Sequence, residues 1–267
     1  MDRYWTIFKI SFAQEFAYKL NFVMWRVRNV LQVFIVFFLW DSVFADPGRV
    51  VFGYDREKII TYVFGALILR ALIFSARSVD VPGEIAEGTL TNYLLKPVNY
   101  FKYWLTRDIS SKALNLAFAV VEMTILFFLL KPEFFFQTNA VYLIGFIVSL
   151  VIANFLLFVI RFITSFITFW APEMAWGSQF LVVVTFTDFL SGSIFPLDIF
   201  PAMAQKILYM TPFPYILFFP LQVYLGKVTP EFMLQGISIS IAWCLIMVAV
   251  MSMVWGAGLK VYRAEGR

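Results

Sequence analysis

No histidine occurs in the 267 residues, cysteine occurs once, and charged side chains make up only 14% of the chain. Without histidine there are no imidazole general bases, no histidine metal ligands and no histidine-based pH sensing. The lone Cys244 permits no disulfide within the chain. A short apolar core ahead of small residues, the mark of a cleavable signal, is also lacking. Asp2, Arg3, Lys9, Glu15 and Lys19 are scattered among aromatics instead, so the first apolar run is expected to stay in the mature chain.

What is present is apolar: 61% of residues are hydrophobic and 20% aromatic, far outside soluble usage. The composition is that of an integral membrane protein. In lipid every backbone N–H and C=O must be satisfied internally, and runs of about 20 apolar residues select helices over a barrel of short alternating strands. The formal charge of +4 lies on Lys and Arg next to apolar segments, facing anionic headgroups, and no nucleic acid partner is expected.

The expected fold is all-α and polytopic, one transmembrane domain over residues 1–267. Residues 1–21 form an interfacial elbow helix, with Tyr4, Phe8, Phe12, Phe16 and Leu20 as its ridge. Residues 22–259 form a six-span bundle, and 260–267 a basic tail. The spans are read at Phe22 to Phe44, Ile59 to Ser75, Ile109 to Leu130, Ala140 to near Arg161, Met174 to Leu190, and Ile237 to Leu259. A helical extension carries the fourth on to a turn at Ala171-Pro172-Glu173. Arg26 and Arg28 are read as snorkelling to the starting side of the first span. Between spans five and six, prolines from Pro196 to Pro230 forbid a continuous span and leave two short re-entrant helices, about Pro201 to Met210 and Tyr215 to Leu225.

Six spans put both termini on one side. With the N-terminus inside, the inner segments hold Arg3, Lys9, Lys19, Arg26, Arg28, Arg77, Lys96, Lys102, Arg107, Lys112, Arg161, Lys260, Arg263 and Arg267. The outer ones hold only Arg49, Arg56, Lys58, Lys131, Lys206 and Lys227, with Arg70 inside span two. The asymmetry predicts cytoplasmic termini.

A polar, Gly- and Pro-punctuated island from Ser78 to Pro97 interrupts this apolar chain on the cytoplasmic side. Its Gly83-Glu-Ile-Ala-Glu-Gly88-Thr89 has the glycine spacing of a phosphate loop, but Thr89 stands where the lysine is needed and Glu84 and Glu87 would repel phosphate. The better reading is a short helix, Glu84 to Leu95, with Ile85, Leu90, Tyr93 and Leu94 as an apolar face. Such a face needs a cover, either a partner protein or the lipid headgroups.

Polar residues inside spans are functional candidates because lipid makes them expensive. Arg70, Glu122, Asn154 and Asp188 are the set for a translocation path. Two readings stand for the first pair: an ion pair between Arg70 and Glu122, or Arg70 snorkelling inward while a neutral Glu122 bonds to a neighbour.

The surface helix, the six spans, the Glu87-Gly-Thr-Leu-x-x-x-Leu-Leu-x-Pro97 island and Ser191-Gly192-x-x-x-Pro196-x-x-x-x-Pro201 resemble the permease subunits of type-2 ATP-binding cassette exporters. Arg3-Tyr4-Trp5, Trp25-Arg26, Leu39-Trp40 and Leu94 to Tyr100 resemble a bacterial branch built from paired permeases. The resemblance implies a non-enzymatic transport subunit of the bacterial inner membrane. It implies a coupling helix with Glu84, Ile85, Glu87, Leu90, Tyr93 and Leu94 seated on a separate cytosolic ATPase. That ATPase would carry ATP and Mg, and this chain no cofactor. A second permease, a heterodimer ahead of a homodimer, and membrane lipids complete the partners, and the substrate would be hydrophobic or amphipathic. Two other classes stand beside it. A lipid-modifying enzyme needs a clustered acid, base or metal site, and an ion-coupled transporter needs inverted repeats of broken helices.

Overall fold

The computed structural model describes residues 2–15, 19–46, 48–180 and 187–263. Helices are the regular elements of the described residues, which hold no strand beyond one isolated β-bridge, Val51 to Tyr54. Helix α1 covers Asp2–Glu15 and α2 Lys19–Val43. Helix α3, Arg56–Leu69, continues as a π-turn, Arg70–Phe74. A 3-10 turn, Ser78–Asp80, leads into α4, Val81–Ala86, and α5, Thr91–Leu94. Then come α6, Tyr100–Leu130, and α7, Ala140–Ser165, extended by a 3-10 turn to Phe169. Short pieces follow: α8, Ala175–Ser178; α9, Asp188–Leu190; α10, Ala202–Tyr209; and α11, Phe218–Tyr224. Helix α12 is Pro230–Val261.

Local chemistry sets the boundaries of the long helices. Asp55, Asn99 and Asn139 are N-caps whose side chains accept from the amides of Lys58, Lys102 and Val141 at 2.8–2.9 Å. Lys131, left-handed at φ 45°, ends α6 just before Pro132. Thr229 caps α12, with Pro230 at its first position. Helix α6 therefore starts at Tyr100, directly after its Asn99 cap and nine residues before the apolar run that marked the span.

Three helices are long and apolar enough to cross a membrane among the described residues: Tyr100–Leu130, Ala140–Phe169 and Pro230–Val261. Arg56–Phe74 and Ser78–Ala86, bent by 55° to each other, count as a fourth only where the pair is taken as a single span. Helix α2 lies over the first expected span up to Val43 but is not among the helices that meet this length and apolarity. The fifth falls partly on residues 181–186, outside the described residues, as do Phe16 of the elbow ridge and Arg267 of the tail. Short helices α10 and α11 occupy the proline-rich segment, and no continuous helix runs through Pro212 and Pro214.

Helix α12 packs along α7, α11 on α7, α2 on α3, and α1 along α6. Missing side chains make the close contacts possible: Gly145 of α7 faces the Met233 sulfur, and Gly258 of α12 faces the Phe169 ring. A main core runs through α2, α3, α7 and α11. A second apolar cluster lies under the island, where Val81, Ile85 and Leu90 meet Tyr100, Trp104, Phe158, Val159, Phe162, Phe166 and Phe169.

Candidate functional site

The island is built on that second cluster. Gly88, at φ +75°, reverses the chain between α4 and α5 in a conformation that side chains rarely adopt. The expected single helix over Glu84 to Leu95 is therefore two helices around a glycine turn. The reversal also changes the expected apolar face. Leu90 is 0% exposed and Ile85 is buried with it, so both hold the island to the protein rather than form a free surface.

The remaining island residues divide. Tyr93 is half-buried, its ring 4.9 Å from that of Tyr103 and 5.6 Å from that of Tyr100. Glu84 accepts a 2.8 Å hydrogen bond from the Tyr100 hydroxyl. Burial raises the Glu84 carboxyl above the ordinary range, and the bonds from Tyr100 and Tyr93 oppose the rise. Glu87 is exposed, Leu94 is 44% and Leu95 81% exposed, and Lys96 and Pro97 complete an open tip.

Hydrogen bonds tie this tip to distant segments. The Tyr262 hydroxyl, just past α12, donates to the Gly88 carbonyl at 2.6 Å and accepts from the Thr91 amide at 3.1 Å. Arg3 of α1 donates to the Pro97 carbonyl at 3.2 Å. Before the island, Asp108 of α6 accepts from the amides of Arg77 and Ser78 at 2.7 and 2.8 Å and from the Ser78 hydroxyl at 2.9 Å. Arg77 in turn pairs with Glu15 of α1 at 2.7 Å.

The polar residues of the spans pair differently from the sequence reading. Arg70 grips Asp188 through two bonds, at 2.9 and 3.1 Å, and also donates to Ser193. Glu122 is paired with Arg26 at 3.5 Å, and Arg26 also donates to Asn115. Arg70 and Glu122 are not paired with each other: each guanidinium, that of Arg70 and that of Arg26, has a different carboxylate within reach, and charge-assisted bonds of this kind are the strong ones. A cleft between α2 and α3 nonetheless has both Arg70 and Glu122 in its lining, with Arg26, Asn29, Gln32 and Ser193. Asn154 is not among its lining residues; its amide turns back to the Leu150 carbonyl of its own helix at 2.9 Å.

At the far end of α3 a second polar centre forms. Asp198 accepts from the Tyr54 hydroxyl at 2.7 Å and from Gln222 and Lys227 at 3.1 Å. Burial lowers the Lys227 ammonium below its usual range, and the Asp198 carboxylate opposes that shift.

Asp108, Tyr262 and the Arg26 partnership escaped the sequence reading. A signal existed for the first: Asp108 and Lys112 stand one helical turn apart at the foot of α6, a polar pair on a helix about to enter lipid. Tyr262 carries no such mark, since a tyrosine after a span reads as an interface anchor.

No match is found among curated proteins or among solved structures. The model of the ABC-2 family transporter proteins matches residues 30–266, nearly the whole chain, including all of the island and the Asp198 centre and the cleft apart from Arg26 and Asn29. With long apolar helices and an all-α fold, the chain belongs to the ABC-2 family of transporter proteins and is a membrane permease.

Proposed function

We propose that this permease is the membrane half of an ATP-driven exporter that moves a hydrophobic or amphipathic substrate out of the cytoplasm. ATP and Mg are carried by a separate cytosolic ATPase, and residues 1–267 act as one permease domain without a cofactor of their own. In this reading six spans cross the bacterial inner membrane with both termini cytoplasmic. Helix α1 lies in the interface, and α10 and α11 form a re-entrant external cap. A second permease, by preference a different chain, faces this one.

The observation that carries the proposal is the island's division of labour. Leu90 and Ile85 are sunk in the chain's own aromatic cluster, while Leu94 and Leu95 project from a braced tip between Glu87 and Lys96. Exposed apolar side chains on a rigid support favour docking by a protein, because the support removes the ordering cost that a loose loop would incur on binding. ATP-driven closure of the ATPases would push this tip and shift the spans between two access states. The α2–α3 cleft is the candidate route for the polar part of an amphipathic substrate. Arg26 with Glu122 and Arg70 with Asp188 leave its charges balanced, so it disfavours no neutral or zwitterionic headgroup.

The test is co-purification in mild detergent. Wild-type protein is expected to bring down a nucleotide-binding subunit, and Leu94→Asp with Leu95→Asp to lose it at unchanged membrane level, since an unpaired charge in a desolvated contact costs on the order of a few kcal/mol. Retention of the ATPase by the double variant at wild-type yield would remove the island from the interface.

A further inference from the structure

Between the end of the π-turn at Phe74 and the start of the 3-10 turn at Ser78 the chain breaks direction by 55°. Helix ends leave carbonyls and amides without intrahelical partners, and carbonyl ends attract cations. Here four consecutive carbonyls are taken by cations. The Lys112 ammonium donates to Leu72, Ile73 and Ser75 at 3.0, 2.7 and 2.9 Å, and Arg161 donates to Phe74 at 2.6 Å. Lys112 thereby spends all three of its donors on backbone. On the other side of the break the amides of Arg77 and Ser78 go to Asp108. Asp108 and Lys112 share one face of α6, and Arg161 comes from α7, so two long helices hold both sides of one joint. Asp108 and Arg161 are buried.

We propose that Lys112, Arg161 and Asp108 are positioning residues for coupling: they lock the break between α3 and the island, so that force on the island tip moves α3 instead of bending the chain at residues 75–77. The inference rests on the island being the ATPase contact. Charge-assisted bonds to backbone fix direction better than apolar packing, because each has an angle as well as a distance. A free hinge would leave these carbonyls to water.

Two measurements separate the joint from the function. The first uses the isolated chain in nanodiscs, with spin labels at Glu57→Cys and Asn92→Cys in a Cys244→Ala background. Lys112→Met keeps the length of the stem and removes the donors. It is expected to broaden the distance distribution across the joint, and Lys112→Arg to restore the narrow one. Asp108→Asn, which keeps one acceptor, should broaden it less, and it decides the matter if Lys112→Met does not accumulate. An unchanged width in these variants overturns the clamp, whatever the ATPase does.

The second uses the complex with the co-purifying ATPase and follows thiol labelling at Gln32→Cys in the α2–α3 cleft, with and without ATP and vanadate. Lys112→Met is expected to keep the ATPase and its hydrolysis but to lose about tenfold of the ATP-dependent change in labelling rate, equivalent to about 1.4 kcal/mol. Lys112→Arg should recover most of it, which a loss of general stability would not predict. A broadened joint with a wild-type labelling response would overturn the positioning role while leaving the clamp in place. If wild-type protein brings down no ATPase, the coupling reading falls together with this role, and the distance measurement still reports on the joint.

Discussion

The two ends of α3 are secured by opposite means. Where α3 meets the island, ionised side chains from α6 and α7 bond to backbone, with Lys112 and Arg161 on carbonyls and Asp108 on amides. At the other end, side chains bond to one another: Asp198 draws Tyr54 together with Gln222 and Lys227, which lie at and just after the end of α11. The first arrangement sets the direction of a single break. The second sets the distances between the Tyr54 loop, the turn at Asp198 and the end of α11. One end therefore depends on packing beneath a rigid element, and the other on a single carboxylate.

The largest expected effect is on the packed end. Leu90→Asp puts an unpaired carboxylate into the cluster of Trp104, Phe162 and Phe166, at a cost above about 4 kcal/mol. Folded protein should disappear from size-exclusion profiles in mild detergent. Wild-type accumulation of this variant would mean that the island does not rest on the cluster at all. Because Leu90 is internal, this substitution reports on folding and says nothing about docking, whereas Leu94 and Leu95 report on docking.

At the far end, Asp198→Ala removes the shared acceptor and leaves Lys227 over the Tyr54 ring without its counter-charge. Breaking a fully buried pair costs about 3–5 kcal/mol, and the partial exposure of both partners here reduces the expectation to about 2–3 kcal/mol. A lower Tm and faster proteolysis at residues 51–54 and 197–200 should follow, with island protection unchanged. Coincident loss of protection at the island would show that the two ends are one cooperative unit rather than two.

The smallest effect is expected at the Tyr262 hydroxyl. Tyr262→Phe keeps the ring against Phe169 and deletes the bonds to Gly88 and Thr91, worth about 1 kcal/mol. Amide exchange at Thr91 and Asn92 should quicken while Tm moves little. No change in exchange would leave the end of α12 without a hold on the island.

How much of this was legible beforehand differs by residue. Apolar run length placed α7 and α12, and the prolines at 212 and 214 placed the break between α10 and α11, because both are local effects of the backbone and the solvent. The island's limits were equally plain. Its inner and outer faces were not: Leu90 and Leu94 are alike in sequence, and only the reversal at Gly88 sends one inward and leaves the other exposed. Arg70 and Asp188 are 118 positions apart, and Arg26 and Asn115 are 89 apart. Periodicity shows which face of a helix carries a charge, but not which neighbour that face will meet.

The amino-acid sequence by itself determined the membrane class, the helical architecture and the existence of a polar island, since each follows from transfer free energies and backbone rules that act over a few residues. Tertiary structure decided the ion-pair partners, the clamp of Lys112, Arg161 and Asp108, and which island residues remain free. These depend on the rotation and approach of helices distant in the chain, where burial makes a charge choose the nearest well-oriented partner and no local pattern records that choice.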